Sequence, residues 1–288
     1  HMEITIVGAG NAGVAHAAMM TRAGHHVTLL KTTNLMYEDT FREIQKTHEI
    51  HYIFNNKEGV IGNIDSTRDI RTGISGAEII YVMTQSIAHN DLARKIVPHL
   101  QDNQIVVVSP GYCGSFYFSG LCKDRNIYFA EGESQPFDAR LVGTAKVRIC
   151  SENIRNPVGV FPSCKTDYVL EKLKKVLPRY TRRENVLESA FHNPNLIVHT
   201  IGAIMSVSRI EYSKGDFWMY REAFTPSIWN LITDLDLEKM EVLKYFGLPQ
   251  QRFVDSFQFR NYENLHADPM EAFSHYAQVG SPKGPSDA

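Results

Sequence analysis

The sequence predicts an α/β fold in which a doubly wound parallel sheet is followed by an all-helical C-terminal domain. Three observations predict it. A glycine-rich turn stands between a short β-branched run and a helical stretch. Further Ile/Val-rich runs follow, with a helical stretch between them, and from about Asp167 the apolar period becomes helical. At 288 residues the chain is long enough for two domains, each burying its own core.

The first unit opens with the strand Ile4-Thr5-Ile6-Val7, which runs into Gly8-Ala9-Gly10-Asn11-Ala12-Gly13. A small-residue helix from Val14 to Ala23 is closed by Gly24, and His26-Val27-Thr28-Leu29-Leu30 forms a second strand. In that context G-x-G-x-x-G is the fingerprint of a Rossmann dinucleotide-binding unit. Gly8 makes the tight turn, Gly10 lets the pyrophosphate approach the backbone, and Gly13 lets helix and strand pack closely. The helix N-terminus meets the phosphates with unpaired N–H groups, and Asn11 and Ala12, between the glycines, are cofactor-contact candidates with them. Further strands are expected at Glu78–Met83 and Gln104–Val108, with a helix from His89 to Leu100 between them. Both end in polar or turn residues, Thr84-Gln85-Ser86 and Ser109-Pro110-Gly111. Thr84, Gln85, Ser86, Pro110 and Gly111 are therefore cofactor-contact candidates, with simple strand punctuation as the competing reading.

NAD-binding units carry Asp or Glu at the end of the second strand, for the ribose 2′-hydroxyl. Here that place reads Lys31-Thr32-Thr33-Asn34. A cation and hydroxyls accept a 2′-phosphate, so Lys31, Thr32 and Thr33 favour NADP over NAD, unless Lys31 is a solvated surface lysine.

The polar breaks Ser151-Glu152-Asn153 and Asn156-Pro157 place a domain boundary near residues 151–165, giving a Rossmann domain over 1–155 and a helical substrate domain over 156–288. Helices are expected from Asp167 to Leu177, stopped by Pro178, then from Pro194 to Ile210, Ser227 to Asp234, and Asp236 to Phe246. Asn193 suits an N-cap and Pro194 the first turn. Asn195 and His199 then lie one turn apart on one face, which Gly202, Ala203 and Ser206 extend with small residues. Ile197, Ile201, Ile204 and Met205 form the apolar face. Such a stripe leaves room for a ligand, and imidazole titrates near neutrality, as a proton donor to a carbonyl or imine must. A hydrogen-bonded structural histidine is the competing reading.

With these residues in hand, the chain resembles the octopine/nopaline (opine) dehydrogenase family over nearly its whole length. The resemblance rests on Gly8 to Gly13, on Ala130-Glu131 with Arg140-Leu141, and on Asn185-Val186-Leu187-Glu188. It continues in Asn193-Pro194-Asn195 with Val198-His199, in Gly215-Asp216-Phe217-Trp218-Met219-Tyr220, and in Thr225-Pro226-Ser227. It implies NAD(P)H-dependent reductive condensation of an amino acid's amine with a 2-oxo acid. It also implies that His199 is the catalytic acid/base, and that Glu131, Asn195, Tyr220 and Thr225 contact substrate. The family continues past a C-terminal Gly-Pro into an Arg-Tyr-x-x-Glu-Asp element whose Asp partners the histidine, whereas this chain ends at Gly284-Pro285-Ser286-Asp287-Ala288. Either the tail is absent from this sequence, or this is a shortened relative with altered or lost activity; the expectation is cofactor binding with slow turnover or none.

A formal charge of −2 without Lys/Arg runs argues against nucleic acid as a partner, and the lack of a long apolar run argues against a membrane. Amino acid and 2-oxo acid substrates are the expected partners, with a homodimer as the assembly to look for. Cys113, Cys122, Cys150 and Cys164 show no C-x-x-C spacing, which suits reduced thiols in a cytoplasm and no metal site. Two other readings compete. A ketopantoate-reductase-like 2-hydroxy-acid dehydrogenase would work with a lysine, and none lies on the Asn195/His199 face; a non-catalytic NAD(P) sensor would bind cofactor without turnover.

Overall fold

A computed structural model describes residues 1–281 and divides into two compact units, His1–Ala190 and Phe191–Ala288. The first unit is built on twelve strands in two sheets. The strands are β1 (Glu3–Val7), β2 (His26–Leu30), β3 (Ile50–Phe54), β4 (Lys57–Ile61), β5 (Asp65–Thr67), β6 (Ile79–Val82), β7 (Ile105–Val108), β8 (Tyr128–Gly132), β9 (Phe137–Gly143), β10 (Lys146–Glu152), β11 (Asn156–Phe161) and β12 (Tyr180–Arg182). The main sheet has the order β12-β11-β8-β7-β6-β1-β2-β5. From β5 to β8 neighbours pair in parallel, as crossover helices require, and β11 reverses direction against β8. β6 and β7 are buried along their whole length, which is why they read as unbroken Ile/Val runs.

The first helix, α1 (Asn11–Arg22), lies between this sheet and a second one, of order β4-β3-β10-β9. Every residue from Gly13 to Met20 is buried, so the helix is apolar and small all round rather than amphipathic. The titratable residue within that buried stretch, His16, is held neutral by burial, its pKa lowered to about 4, and its Nδ1 is hydrogen-bonded to Ala12 O at 2.7 Å. The second sheet was not foreseen: β4 opens with Lys57-Glu58 and contains Gly59, and in β10 only Val147 and Ile149 are buried apolar residues.

The expected boundary near 151–165 is corrected by the structure. Asn156-Pro157 does not leave the sheet but begins β11, whose first five residues are buried between β8 and β12. Pro157 contributes its carbonyl, which accepts the Glu133 N–H at 3.0 Å, and Gly159 lets Asn185 approach: a Cβ would fall 2.1 Å from Asn185 O. The helices α2 (Glu38–Thr47), α3 (Ile70–Ile74), α4 (His89–Ile96) and α5 (Ser115–Ser119) are therefore followed in the Rossmann unit by α6 (Thr166–Val176), and the division comes between Ala190 and Phe191, in α7 (Val186–Phe191).

In the second unit, Asn195–His199 forms a π-helical turn, followed by α8 (Thr200–Met205), α9 (Val207–Tyr212), α10 (Met219–Glu222), α11 (Pro226–Tyr245), α12 (Phe253–Asn261) and α13 (Pro269–His275). The helix expected from Pro194 to Ile210 starts where expected but breaks at Ser206. The two helices expected at 227–234 and 236–246 are one, because Asp236 points inward, accepting the Phe253 N–H at 2.9 Å and pairing with Lys239 at 2.7 Å. The face expected to be greasy is only half so: Ile197 is buried, while Ile204 and Met205 are exposed. Among the described residues no helix is long and apolar enough to cross a membrane.

Gly13 carries the closest contact in the first unit, since a Cβ there would fall 2.0 Å from the carbonyl oxygen of Gly8. Gly13→Ala must push α1 off β1, and the expected cost is about 1–3 kcal/mol or more, the scale of overpacking against backbone. A urea midpoint equal to that of the unmutated chain would contradict this packing.

Candidate active site

The Rossmann unit presents its turn at the carboxyl ends of the parallel strands. Gly8 has φ +115°, and a Cβ there would lie 2.8 Å from Met83 O, so only glycine makes this turn. Gly10 is the N-cap of α1, no side chain caps the helix, and Asn11 turns away to accept the Leu141 N–H at 2.8 Å. The first-turn N–H groups, Ala12's among them, are left to a ligand. Beside Gly8, the Thr84 hydroxyl is buried without a hydrogen-bond partner. A glycine cradle, an uncapped helix start and an orphaned hydroxyl together fit a dinucleotide pyrophosphate. Tyr37 lies over the turn, its ring 3.0 Å from where a Gly10 Cβ would stand, and the exposed Leu35 and Met36 precede it.

Lys31 is not a solvated lysine. It is 5% exposed, its Nζ donates to Thr33 O and stands 3.1 Å from Glu38 Oε1. Glu38 also pairs with Arg68 at 2.5 Å, and the Arg68 guanidinium, then the Lys31 ammonium, hold its carboxyl below the usual range. Thr32 is partly exposed and Thr33 exposed beside this cluster. Gln85 and Ser86 are exposed after β6.

Two residues expected at the ligand also have structural reasons. Glu131 is fully buried: its carboxylate accepts the Cys113 N–H at 2.8 Å and the Ser115 hydroxyl at 2.5 Å, tying the loop after β7 to the end of β8. Both of its oxygens are thus engaged within the protein. Gly111 is glycine for the same reason, since a Cβ would fall 2.1 Å from Glu131 Oε1; Pro110 precedes it in a cis peptide. Sequence reasoning missed Tyr37, Glu38 and Arg68, and it missed the buried network in which Arg183 pairs with Glu133 at 2.5 Å and with Glu188 at 3.4 Å. The motif Asn185 to Glu188 was the available signal: Asn185 Oδ1 caps the start of α7 by accepting the Glu188 N–H at 3.0 Å.

In the helical unit His199 closes the π-helical turn, and its Nε2 is hydrogen-bonded to the Tyr220 hydroxyl at 2.9 Å. Tyr220 is buried and held by ring contacts with Phe224, Phe273 and Tyr276 at 5.6, 5.9 and 5.3 Å. The structure thus brings together two of the expected residues, and the phenol fixes the imidazole's position. Asn195 starts the same turn, its N–H donating to Asn193 Oδ1 at 3.0 Å. Thr225 is exposed at the N-cap of α11, with no side-chain cap bond. The small-residue stripe does not open onto a cavity at Gly202, where a Cβ would meet Met219 Sδ at 3.2 Å and Phe224 Cε1 at 3.3 Å. The expectation of a missing Asp partner falls on residues 282–288, outside the described residues.

A dinucleotide unit joined to a helical unit bearing a His–Tyr pair defines a two-domain nicotinamide-dependent oxidoreductase. Residues 3–112 match the family model of the NAD-dependent glycerol-3-phosphate dehydrogenase N-terminus, and residues 182–288 that of the α-helical domain of NAD/NADP octopine/nopaline dehydrogenase. An opine dehydrogenase of Arthrobacter sp. (strain 1C) is 25% identical over 250 residues, 84% of this chain and 67% of that one. The fold is that of octopine dehydrogenase with NADH and L-arginine (TM-score 0.72, 16% identity, 98% of this chain and 74% of that one). It is also that of yersinopine dehydrogenase with NADP+ bound (TM-score 0.75, 14% identity, 96% and 75%). Residues 182–288 thus carry the helical domain of octopine/nopaline dehydrogenases, and the chain is an NAD(P)-dependent oxidoreductase similar to opine dehydrogenases, of the kind acting on CH–NH bonds.

Burial pushes the Glu131 carboxyl up to about 7, against the hydrogen bonds from Ser115 and Cys113. The folded chain therefore holds this proton more tightly than the unfolded one. The resulting stability is full below the ordinary value of 4.5 and is lost as pH rises through about 7. Between about pH 5 and pH 8 the urea stability of the unmutated chain should fall relative to Glu131→Gln, by on the order of 1–3 kcal/mol. Parallel profiles would contradict the assignment.

Proposed function

We propose that this chain joins the amine of an amino acid to a 2-oxo acid by reductive condensation, with His199 as the acid/base and NADPH favoured over NADH. The amine and the keto carbon condense to an imine with loss of water. The reduced nicotinamide supplies the hydride that goes to the imine carbon when it is bound. A proton must reach the imine nitrogen, and His199 delivers it, the Tyr220 hydroxyl keeping the imidazole oriented. The observation that carries this reading is the 2.9 Å hydrogen bond between His199 Nε2 and a Tyr220 that aromatic rings hold in place.

The NADPH preference is supported by the positive charge at the end of β2, where Lys31 stands in place of an acidic ribose ligand. That amine and oxo acid are the substrate classes is supported by the family. Arginine with pyruvate is the first pair to try, since octopine dehydrogenase was solved with L-arginine. A lysine-driven 2-hydroxy-acid dehydrogenase is less well supported: Lys239, buried in α11, already pairs with Asp236.

Oxidation of NADPH with amino acid and oxo acid present should fall by about 10²–10⁴-fold in His199→Ala, the usual worth of an acid/base group. NADPH affinity should stay within about twofold, because the residue belongs to the helical unit. Tyr220→Phe should lower turnover less, by about tenfold, the loss of one hydrogen bond that orients the ring. Undiminished turnover in His199→Ala would overturn the reading.

A further inference from the structure

The register of the main sheet brings together residues far apart in sequence. β2 and β5 are parallel neighbours with Leu30 opposite Thr67, and the Lys31 N–H donates to Thr67 O at 3.1 Å. Lys31 and Arg68 are thus the first residues beyond the carboxyl ends of two adjacent strands, the edge at which Rossmann sheets receive the adenosine ribose. Both side chains reach the Thr33 carbonyl, Lys31 Nζ at 2.5 Å and Arg68 NH1 at 3.2 Å. Arg68 lies with its guanidinium carbon 4.7 Å from the centre of the Phe41 ring, which fixes the plane of its fork.

One carboxylate answers these cations. Glu38 takes Lys31 on Oε1 and Arg68 on Oε2, and Arg42 adds a looser contact at 3.6 Å. The neighbouring Asp39 is exposed and makes no ion pair among the described residues. Three cations share one carboxylate, so the cluster has positive charge in excess, and Glu38 keeps 19% side-chain exposure while its Oε1 is buried against Lys31. A ribose 2′-hydroxyl can donate to such a carboxylate. A 2′-phosphate competes with it for the same two cations and is repelled by it.

We propose that Glu38 is the residue that sets the cofactor's 2′ selectivity, accepting the hydroxyl of NADH and holding Lys31 and Arg68 back from the phosphate of NADPH. The inference rests on the dinucleotide reading above and refines it: Lys31 and Arg68 supply the preference for NADPH, and Glu38 limits it. Selectivity then depends on a residue seven positions beyond the usual acidic one.

The test is equilibrium titration of the full chain, followed by quenching of protein fluorescence, with NADPH, NADH and the half-molecules 2′,5′-ADP and 5′-AMP. In Glu38→Gln the affinity for NADPH and for 2′,5′-ADP should rise about tenfold relative to that for NADH and 5′-AMP. That is the scale of one charge-assisted contact. Arg68→Met should shift the same ratio about tenfold the other way, and it guards against a Glu38 variant that folds poorly, because Arg68 is a surface side chain. Added salt should narrow the unmutated chain's preference. Ratios unchanged in both variants, with nucleotide still bound, would overturn the inference alone. An unmutated chain that binds neither dinucleotide would overturn the cofactor reading and the inference with it.

Discussion

The Gly8 carbonyl and the Gly13 Cα stand so close that no side chain fits between them, and the first unit is arranged around that contact. It fixes where α1 leaves β1, and so where the uncapped start of the helix lies relative to the strand ends. Because α1 is then enclosed by two sheets, its residues are small and apolar from Gly13 to Met20, His16 being the neutral exception. An amphipathic helix could not serve here. The same edge gathers the turn at Gly8, the orphaned Thr84 hydroxyl and the Lys31 cluster, each at the end of a different strand.

Charge inside the first unit is spent mostly on structure. Glu131 holds the segment after β7 against the end of β8, and Arg183 ties Glu133 to Glu188, whose carboxyl is raised chiefly by burial. Groups like these stabilise only while every partner is present, and removal of one leaves a desolvated charge. The Lys31, Glu38 and Arg68 cluster differs in being partly open to solvent, with more positive than negative groups. An anionic ligand can complete such a cluster, whereas it would only break the others.

What the sequence made legible was local. β1, α1, β2, β6, β7 and the helix that starts at His89 follow from contiguous residues and a period of two or of three to four. Arg68 could not be found that way, since its nearness to Lys31 comes from the pairing of a three-residue strand with β2. β11 was misread because Asn156-Pro157 has the composition of a linker, yet an antiparallel strand late in the sheet tolerates that proline. Asp236 looked like a break between helices, and only the Phe253 N–H and Lys239 explain a carboxylate turned inward. His199 was singled out by spacing and by family resemblance, but its link to Tyr220 crosses twenty-one residues of sequence and shows only in the fold.

The central claim is that hydride reaches a carbon that has already joined an amine. The most direct measurement uses reduced cofactor deuterated at the transferable C4 position, incubated with the chain, a 2-oxo acid and a mixture of amino acids, with products read by mass spectrometry. The account predicts a secondary amine carrying a single deuterium on the carbon that was the keto carbon. Deuterium found in a 2-hydroxy acid, with no secondary amine formed, would contradict it.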